Sequence, residues 1–213
     1  MTPNIFINNL RDISLPEVFN PYADNCEFHD LENAPAIRRN NLLSYLKTFD
    51  SGVDSIWFGR DLGYRGGRRT GLALTDENHL KFFRDVFTGS NVQQATKGPV
   101  VSERTATIVW RMLLEIKAQP FLWNVFPFHP HEPHAPLSNR RHTAYERDMC
   151  NDLLNSLISW LQPKKIIAIG NDAHHSISKL GYDCTYVRHP SYGGHNDFIK
   201  GITKIYQQDA ITK

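Results

Sequence analysis

The chain has 213 residues, 40% of them hydrophobic and 22% charged, with a formal net charge of +2. This composition fits one ordinary globular domain and excludes a whole-surface attraction for nucleic acid, so any such contact must come from local clusters. Cys26, Cys150 and Cys184 lie far apart with no C-x-x-C pair, no apolar run reaches membrane-spanning length, and the amino terminus lacks a basic region followed by an apolar one; a soluble cytoplasmic protein with reduced thiols and no membrane contact is therefore expected, most simply a monomer.

Residues 1–52 read as an N-terminal arm and helix, and 53–207 as an α/β core. In the arm, Ile5-Phe6-Ile7 and Val18-Phe19 are short apolar words among Asn and Pro, expected to form short helices packed on the body. Phe19-Asn20-Pro21-Tyr22 is either a turn near a site or a packing corner. Pro35 opens a helix over 36–49, with Ile37, Leu42, Leu46 and Phe49 at near-helical spacing. Its Arg38 and Arg39 fit a solvated face or a phosphate contact equally well.

Val53 to Phe58 is the first core strand, followed by a glycine-rich stretch and a helix over 78–87 carrying Leu80, Phe83 and Phe87. Polar residues over 88–101 predict an exposed loop. Ser102 is read as the cap of a helix over 103–116, whose Ala106, Val109, Leu113 and Ile116 form an apolar stripe. The second strand spans 120–126, and a loop rich in proline and histidine runs over 127–142. Thr143-Ala144-Tyr145-Glu146 is a capping box. It opens a helix predicted to reach Leu161 with Met149, Leu153, Leu157 and Trp160 inward. Ile166 to Ile169 is continuously apolar, as a central parallel strand should be. A helix from Gly170 to Leu180-Gly181, a strand over 182–188, the loop His189 to Gly194 and a helix over 196–207 complete the chain. Strands alternating with helices predict a parallel four-stranded sheet sandwiched by helices, a three-layer αβα arrangement.

The stretch from Trp57 to Glu77 is the most unusual. Gly59, Gly63, Gly66, Gly67 and Gly71 crowd beside Asp61, Arg65, Arg68 and Arg69. Glycines at this density permit positive φ and close backbone approach to a ligand. In an open parallel sheet, ligands bind outside the carboxyl ends of the strands. Three loops meet there in this topology, offering a carboxylate (Asp61), a side-chain amide (Asn124) and an imidazole (His189). Singly, each residue fits a turn or a local pair; three together at successive strand ends point to chemistry.

Gly59-Arg60-Asp61 with its glycine-rich loop, the strand ending in Asn124, and His189-Pro190-Ser191 resemble the uracil-DNA glycosylase superfamily, in the same order, over about residues 53–200. The segment Thr143 to Glu146 with Cys150, and Pro163 to Gly170, is similar to the stretch between the second and last motifs of members that carry an iron–sulfur cluster. The resemblance implies a four-stranded parallel sheet between helices and an enzyme that flips a base out of DNA and hydrolyses its N-glycosidic bond. Asp61 would position water and stabilise an oxocarbenium-like sugar, His189 would donate to the base oxygen, and Asn124 would read the base edge. The base pocket would be built by Gly59, Arg60, Leu62, Gly63, Tyr64, Leu74, Phe128 and His129. DNA contacts would come from Arg65, Arg68, Arg69, Arg188, Ser191, Tyr192, Gly193 and Gly194. Tyr192 is either the wedge that fills the vacated stack or a packing residue. No lysine lies in the three motifs, so a monofunctional enzyme leaving an abasic site is expected.

Departures from the family pattern bear on the substrate. Familiar uracil-excising members place a Tyr after the Asp-Pro of the first motif, which blocks substituents at C5; here Leu62 and Gly63 follow Asp61. The base-stacking aromatic would fall near Leu74, though Tyr64 or Phe128 can supply another wall. An open gate favours a C5-modified pyrimidine, such as hydroxymethylated or glucosylated cytosine of phage DNA, and hence a defence role. Uracil excision in base-excision repair is the alternative. A non-catalytic module that binds flipped bases has no use for a water-activating acid, and a nucleotide-binding doubly wound domain would carry a G-x-G-x-x-G or P-loop. His129, His131 and His134 are separated by prolines that scatter the rings, so that loop either hydrogen-bonds base or sugar or packs upon itself. The missing fourth cysteine argues against a cluster, and no metal or cofactor is expected.

Overall fold

The computed structural model describes residues 1–49 and 52–211, with side chains up to residue 208; residues 50 and 51, at the end of the expected arm, lie outside the described residues. In the arm, α1 (Pro3–Arg11) buries Phe6, Ile7 and Leu10 and leads into a two-residue strand β1 (Val18–Phe19). Then come α2 (Ala34–Leu46), which continues as a 3-10 turn to Phe49, and β2 (Ser55–Gly59). The glycine-rich stretch holds one helical turn, α3 (Gly67–Thr70), before a 3-10 turn and α4 (Leu80–Val86). Next are α5 (Arg104–Ile116), β3 (Phe121–Asn124) and the short β4 (His129–Pro130). They are followed by α6 (Ala144–Asp148), α7 (Asn151–Leu161), β5 (Lys165–Ile169), α8 (Asn171–Lys179), β6 (Thr185–Val187) and α9 (His195–Ile211).

The architecture is α/β. Strands β2, β3, β5 and β6 form one parallel sheet in the order β3-β2-β5-β6. Period-two alternation decides what covers each face. Trp57, level with Leu122, meets Phe198 of α9 at 6.3 Å and donates its indole N–H to the Tyr206 hydroxyl at 2.9 Å. Phe121 and Trp123 point the other way; Tyr45 of α2 stacks on Phe121 at 4.8 Å and Phe6 of α1 meets Trp123 at 5.6 Å. Helices therefore lie on both faces, compatible with three layers. No helix among the described residues is long and apolar enough to cross a membrane.

Several local expectations change. Ser102 does not cap α5; its N-cap is Glu103, whose backbone N–H is taken by Asp76 Oδ2 at 2.6 Å, so the cap arrives from the glycine-rich segment rather than from the adjacent residue. The helix expected over 143–161 keeps its capping box but breaks at Met149-Cys150, turning Cys150 inward and leaving Met149 exposed; Leu153, Leu154, Leu157, Ile158 and Leu161 form the buried face. The segment 88–101 is not wholly exposed, because Thr96 bridges to Asp30 and Ala95 is fully buried. Arg38 faces neither solvent nor a ligand: it is completely buried, paired with Asp30, and donates to the carbonyls of Arg69, Pro21 and Asp24. Arg39 donates to the Tyr22 carbonyl at 2.6 Å, and the Phe19 to Tyr22 corner is a packing corner. These contacts tie the arm and α2 to the back of the glycine-rich stretch.

Candidate functional site

The sheet order reverses at β2, with β3 on one side and β5 on the other, which places a crevice outside the carboxyl ends of the strands. A cavity of about 720 Å³ opens there, lined by residues following all four strands, among them Asp61, Asn124, Asn171 and His189. The three residues singled out at strand ends thus share one cavity.

Asn124 ends β3 opposite Gly59, the last residue of β2. A Cβ at Gly59 would lie 2.4 Å from Asn124 Oδ1, so only glycine leaves room for the amide. The residue is 1% exposed, and its Oδ1, buried against Gly59, has no hydrogen-bond partner among the described residues. Such an orphan is costly in a folded protein, and the same side chain lines the cavity. Leu74, at φ 54°, a region disfavoured for a side chain of its size, packs against the same glycine and lines the cavity.

Asp61 directs all its protein contacts through Oδ2: Arg60 Nε at 2.8 Å, the His142 backbone N–H at 3.4 Å, and His142 Nδ1 at 3.3 Å, near enough for charge but poorly angled for a hydrogen bond. Oδ1 is left free. Burial alone would raise this carboxyl, but His142 and Arg60 outweigh it and hold Asp61 below the usual carboxylate range, ionised at neutral pH. Arg60 is itself steered by Asp172, which also pairs with Arg141.

His189 accepts at Nδ1 from the backbone N–H of Ser191 at 3.2 Å, and the Ser191 hydroxyl lies 2.7 Å from the same nitrogen. A backbone N–H can only donate, so the ring proton belongs on Nε2. Burial, then Arg60 and Arg188, push the imidazole down to about 4. His189 is therefore neutral and offers an N–H donor.

A fourth group had no site role in the sequence reading. Glu103 reaches from the start of α5 into the notch between Gly63 and Gly66, where added Cβ atoms would lie 2.2 Å from Oε1 and 2.1 Å from Oε2. Burial, then the charges of Asp76 and Asp61, raise this carboxyl to about 7. The close approach permitted by these glycines is to the chain's own carboxyl, and the gate at Gly63 is occupied rather than open.

The other candidates divide. Arg60, Leu62, Gly63, Leu74, Arg188, Ser191 and Tyr192 line the cavity with Gly59 beneath Asn124. Tyr192 is 93% exposed at the rim, with Gly193 and Gly194 turning the chain behind it. Arg65 is exposed. Arg68 and Arg69 are buried and are not surface contacts for DNA: Arg68 stacks on Phe19 at 3.9 Å and bonds His129 Nδ1 and the Pro136 carbonyl, while Arg69 pairs with Glu77 at 3.0 Å. His129 is fully buried and pushed down to about 3 by burial and by Arg68; its Nε2–H donates to the Ser138 carbonyl at 2.8 Å. Phe128 is fully buried and Tyr64 lies outside the lining, so neither supplies the missing ring. Thus His129, Phe128 and Tyr64 shape the loop behind the pocket. His142, Asp172, Arg104 and Arg141 were missed, although Arg141 and His142 directly precede the capping box and Asp172 lies in the first turn of the helix that follows Gly170. Among the described residues no group of three or more His, Cys, Asp or Glu is arranged to hold a metal ion.

No protein-family model matches this chain, and none of the curated proteins matches it.

Proposed function

We propose that this is a cytoplasmic, monomeric DNA glycosylase of uracil-DNA glycosylase type, with that superfamily's three-layer fold. It flips a C5-modified pyrimidine from DNA and hydrolyses its N-glycosidic bond. The observation that carries the reading is the convergence of three complementary groups in one cavity: an ionised Asp61 with a free oxygen, a neutral His189 with an Nε2–H donor, and the unpaired amide of Asn124.

Chemically, the glycosidic electron pair leaves with the base and positive charge builds on the sugar. Asp61 Oδ1 stabilises that charge and orients the water that adds to C1′. The Nε2–H of His189 stabilises negative charge growing on a base carbonyl oxygen, without a prior proton transfer. Asn124, which lines the cavity, directs its side-chain amide to the base edge. The attacking water gives up a proton as it bonds to C1′ and the departing base anion takes one up, so the products are neutral free base and an abasic sugar. Arg104 and Arg188, both exposed cavity-lining residues with no ion pair among the described residues, suit phosphate contacts, and Tyr192 suits the vacated stack.

No blocking ring follows Asp61: Leu62 and Gly63 line the cavity there, with the Glu103 carboxyl beside Gly63. This favours a base with a polar C5 substituent, such as hydroxymethylated or glucosylated cytosine of phage DNA, and with it antiphage defence. The test is a panel of oligonucleotides, each with one modified base, incubated with the protein and then treated with alkali to cut at abasic sites. Scission is expected for hydroxymethylated or glucosylated cytosine above uracil. Scission at uracil alone would move the reading to repair; no scission with any base would leave only a base-binding module.

A further inference from the structure

Glu103 is a partly buried acid in the cavity lining. Neither of its carboxyl oxygens makes a hydrogen bond or ion pair with any described residue, although both are packed against the backbone at Gly63 and Gly66. Neighbouring acids are treated differently. Asp76 bonds His79 and the Glu103 N–H, and Glu77 holds Arg69, Thr96 and the Val101 N–H. The fold had partners to spend and gave this side chain none. A partly buried carboxyl without a protein partner is left to water, or to a ligand group that takes the water's place. Solvent or a ligand in the cavity is what faces Glu103, since it shares the lining with Asp61 and Leu62.

The chemistry of the missing partner follows from the donor inventory. Burial and the adjacent Asp76 and Asp61 charges favour the protonated acid, with only Arg65 acting in the opposite direction. A carboxylic acid offers one O–H donor and one carbonyl acceptor side by side. That set matches a hydroxyl, which also donates and accepts, and has nothing to offer a methyl group. Glu103 is seated at Gly63 and Gly66, whereas Asn124 sits against Gly59, so the two groups reach the cavity from different points of the glycine-rich stretch.

We propose that Glu103 is a specificity-determining residue that recognises hydroxyl groups carried by the base's substituent, whether a hydroxymethyl group or a sugar attached to it. This rests on the glycosylase reading. The glycines at 63 and 66 then serve to seat the carboxyl that replaces a blocking side chain.

The experiment measures kcat and KM for base release by the full chain from matched oligonucleotides containing glucosylated 5-hydroxymethylcytosine, 5-hydroxymethylcytosine, 5-methylcytosine or uracil. Wild type should favour the hydroxyl-bearing bases over 5-methylcytosine. Glu103→Leu should cut that preference by about 10- to 100-fold, an effect of the size expected when a pocket loses one hydrogen-bonding group. Glu103→Gln, which keeps a donor and an acceptor at the same reach, should restore most of it and controls for folding. Release of base with an unchanged hydroxyl-to-methyl ratio in Glu103→Leu overturns the assignment while leaving the glycosylase reading intact, as does wild-type release of uracil alone. An equal loss on all bases, unrestored by Gln, assigns Glu103 to folding and also overturns it. No release from any oligonucleotide overturns both.

Discussion

Replacing Glu103 by Gln removes one ionisable proton while keeping the shape of the side chain, and its effect on stability follows from the site's electrostatics. The folded carboxyl stands at about 7 against an ordinary 4.5. At about 1.4 kcal/mol per pH unit, that difference is worth up to about 3.5 kcal/mol, and access of water from the cavity reduces it toward about 1.5. Between pH 4.5 and 7 the folded protein keeps a proton that the unfolded chain has released, so this group's contribution falls as pH rises. Below that window both states hold the proton; above it the fold bears the full cost of a buried charge. Urea unfolding of wild type and Glu103→Gln from pH 4.5 to 8 reads the effect directly. Subtracting one curve from the other cancels the remaining titrating groups. The wild type should lose about 1.5–3 kcal/mol relative to the variant across this range, with most of the loss between pH 5 and 7. Parallel curves would mean that Glu103 is ionised in the fold, and the protonated-acid argument would be wrong.

The other expectations concern the opposite wall and the back of the loop. Asp61→Asn should lower kcat by about 100- to 1,000-fold in base release while leaving DNA affinity nearly unchanged, because it removes charge stabilisation that matters only in the transition state; equal losses in kcat and in binding, measured by fluorescence anisotropy, would assign Asp61 to DNA contact. His189 should remain a neutral donor down to about pH 4, so kcat should show no inflection near pH 6.5 assignable to it; a limb there that vanishes in His189→Gln would refute the tautomer argument. Arg68→Met should destabilise the protein by about 2 kcal/mol through loss of the desolvated stacking contact with Phe19, with the salt dependence of DNA binding unaltered; a shallower salt dependence in a fully folded variant would return Arg68 to the DNA surface.

The sheet was legible because its strands are short, apolar and bounded by polar turns, and Val53 to Phe58 and Ile166 to Ile169 can be little else. Asp61, Asn124 and His189 were legible for a related reason: once the strands are placed, the residues at their carboxyl ends must converge. The charged residues between motifs were not. Arg68 and Arg69 sit in a glycine-rich loop that looks exposed, and their burial depends on Phe19, Glu77 and Thr96, brought from the arm and from a segment that itself read as an open loop. Glu103 was hidden by a local signal. It follows Ser102, a better intrinsic cap, and an acid at a helix start normally needs no other explanation. Its real neighbours, Gly63, Gly66 and Asp76, lie far back along the chain. The glycines were visible as an anomaly, but what they make room for became visible only in three dimensions.

Asp61 and Glu103 line the same cavity, and their environments shift them in opposite directions. Asp61 is surrounded by Arg60 and His142, which hold it ionised; Glu103 faces Asp76 and Asp61 itself, which oppose its ionisation. Each acid thus helps define the other. The charge that Asp61 needs for chemistry on a developing cation is, after burial and Asp76, one cause that raises Glu103 and favours its neutral hydrogen-bonding form. Two carboxylates in one cavity with no such division would repel and compete for the same cation. Divergent environments for a pair of acids are a recurrent way to assign different tasks at one pH. The glycine-rich stretch serves both sides of this division: Gly59 yields space to Asn124, Gly63 and Gly66 seat Glu103, and Asp61 stands between them.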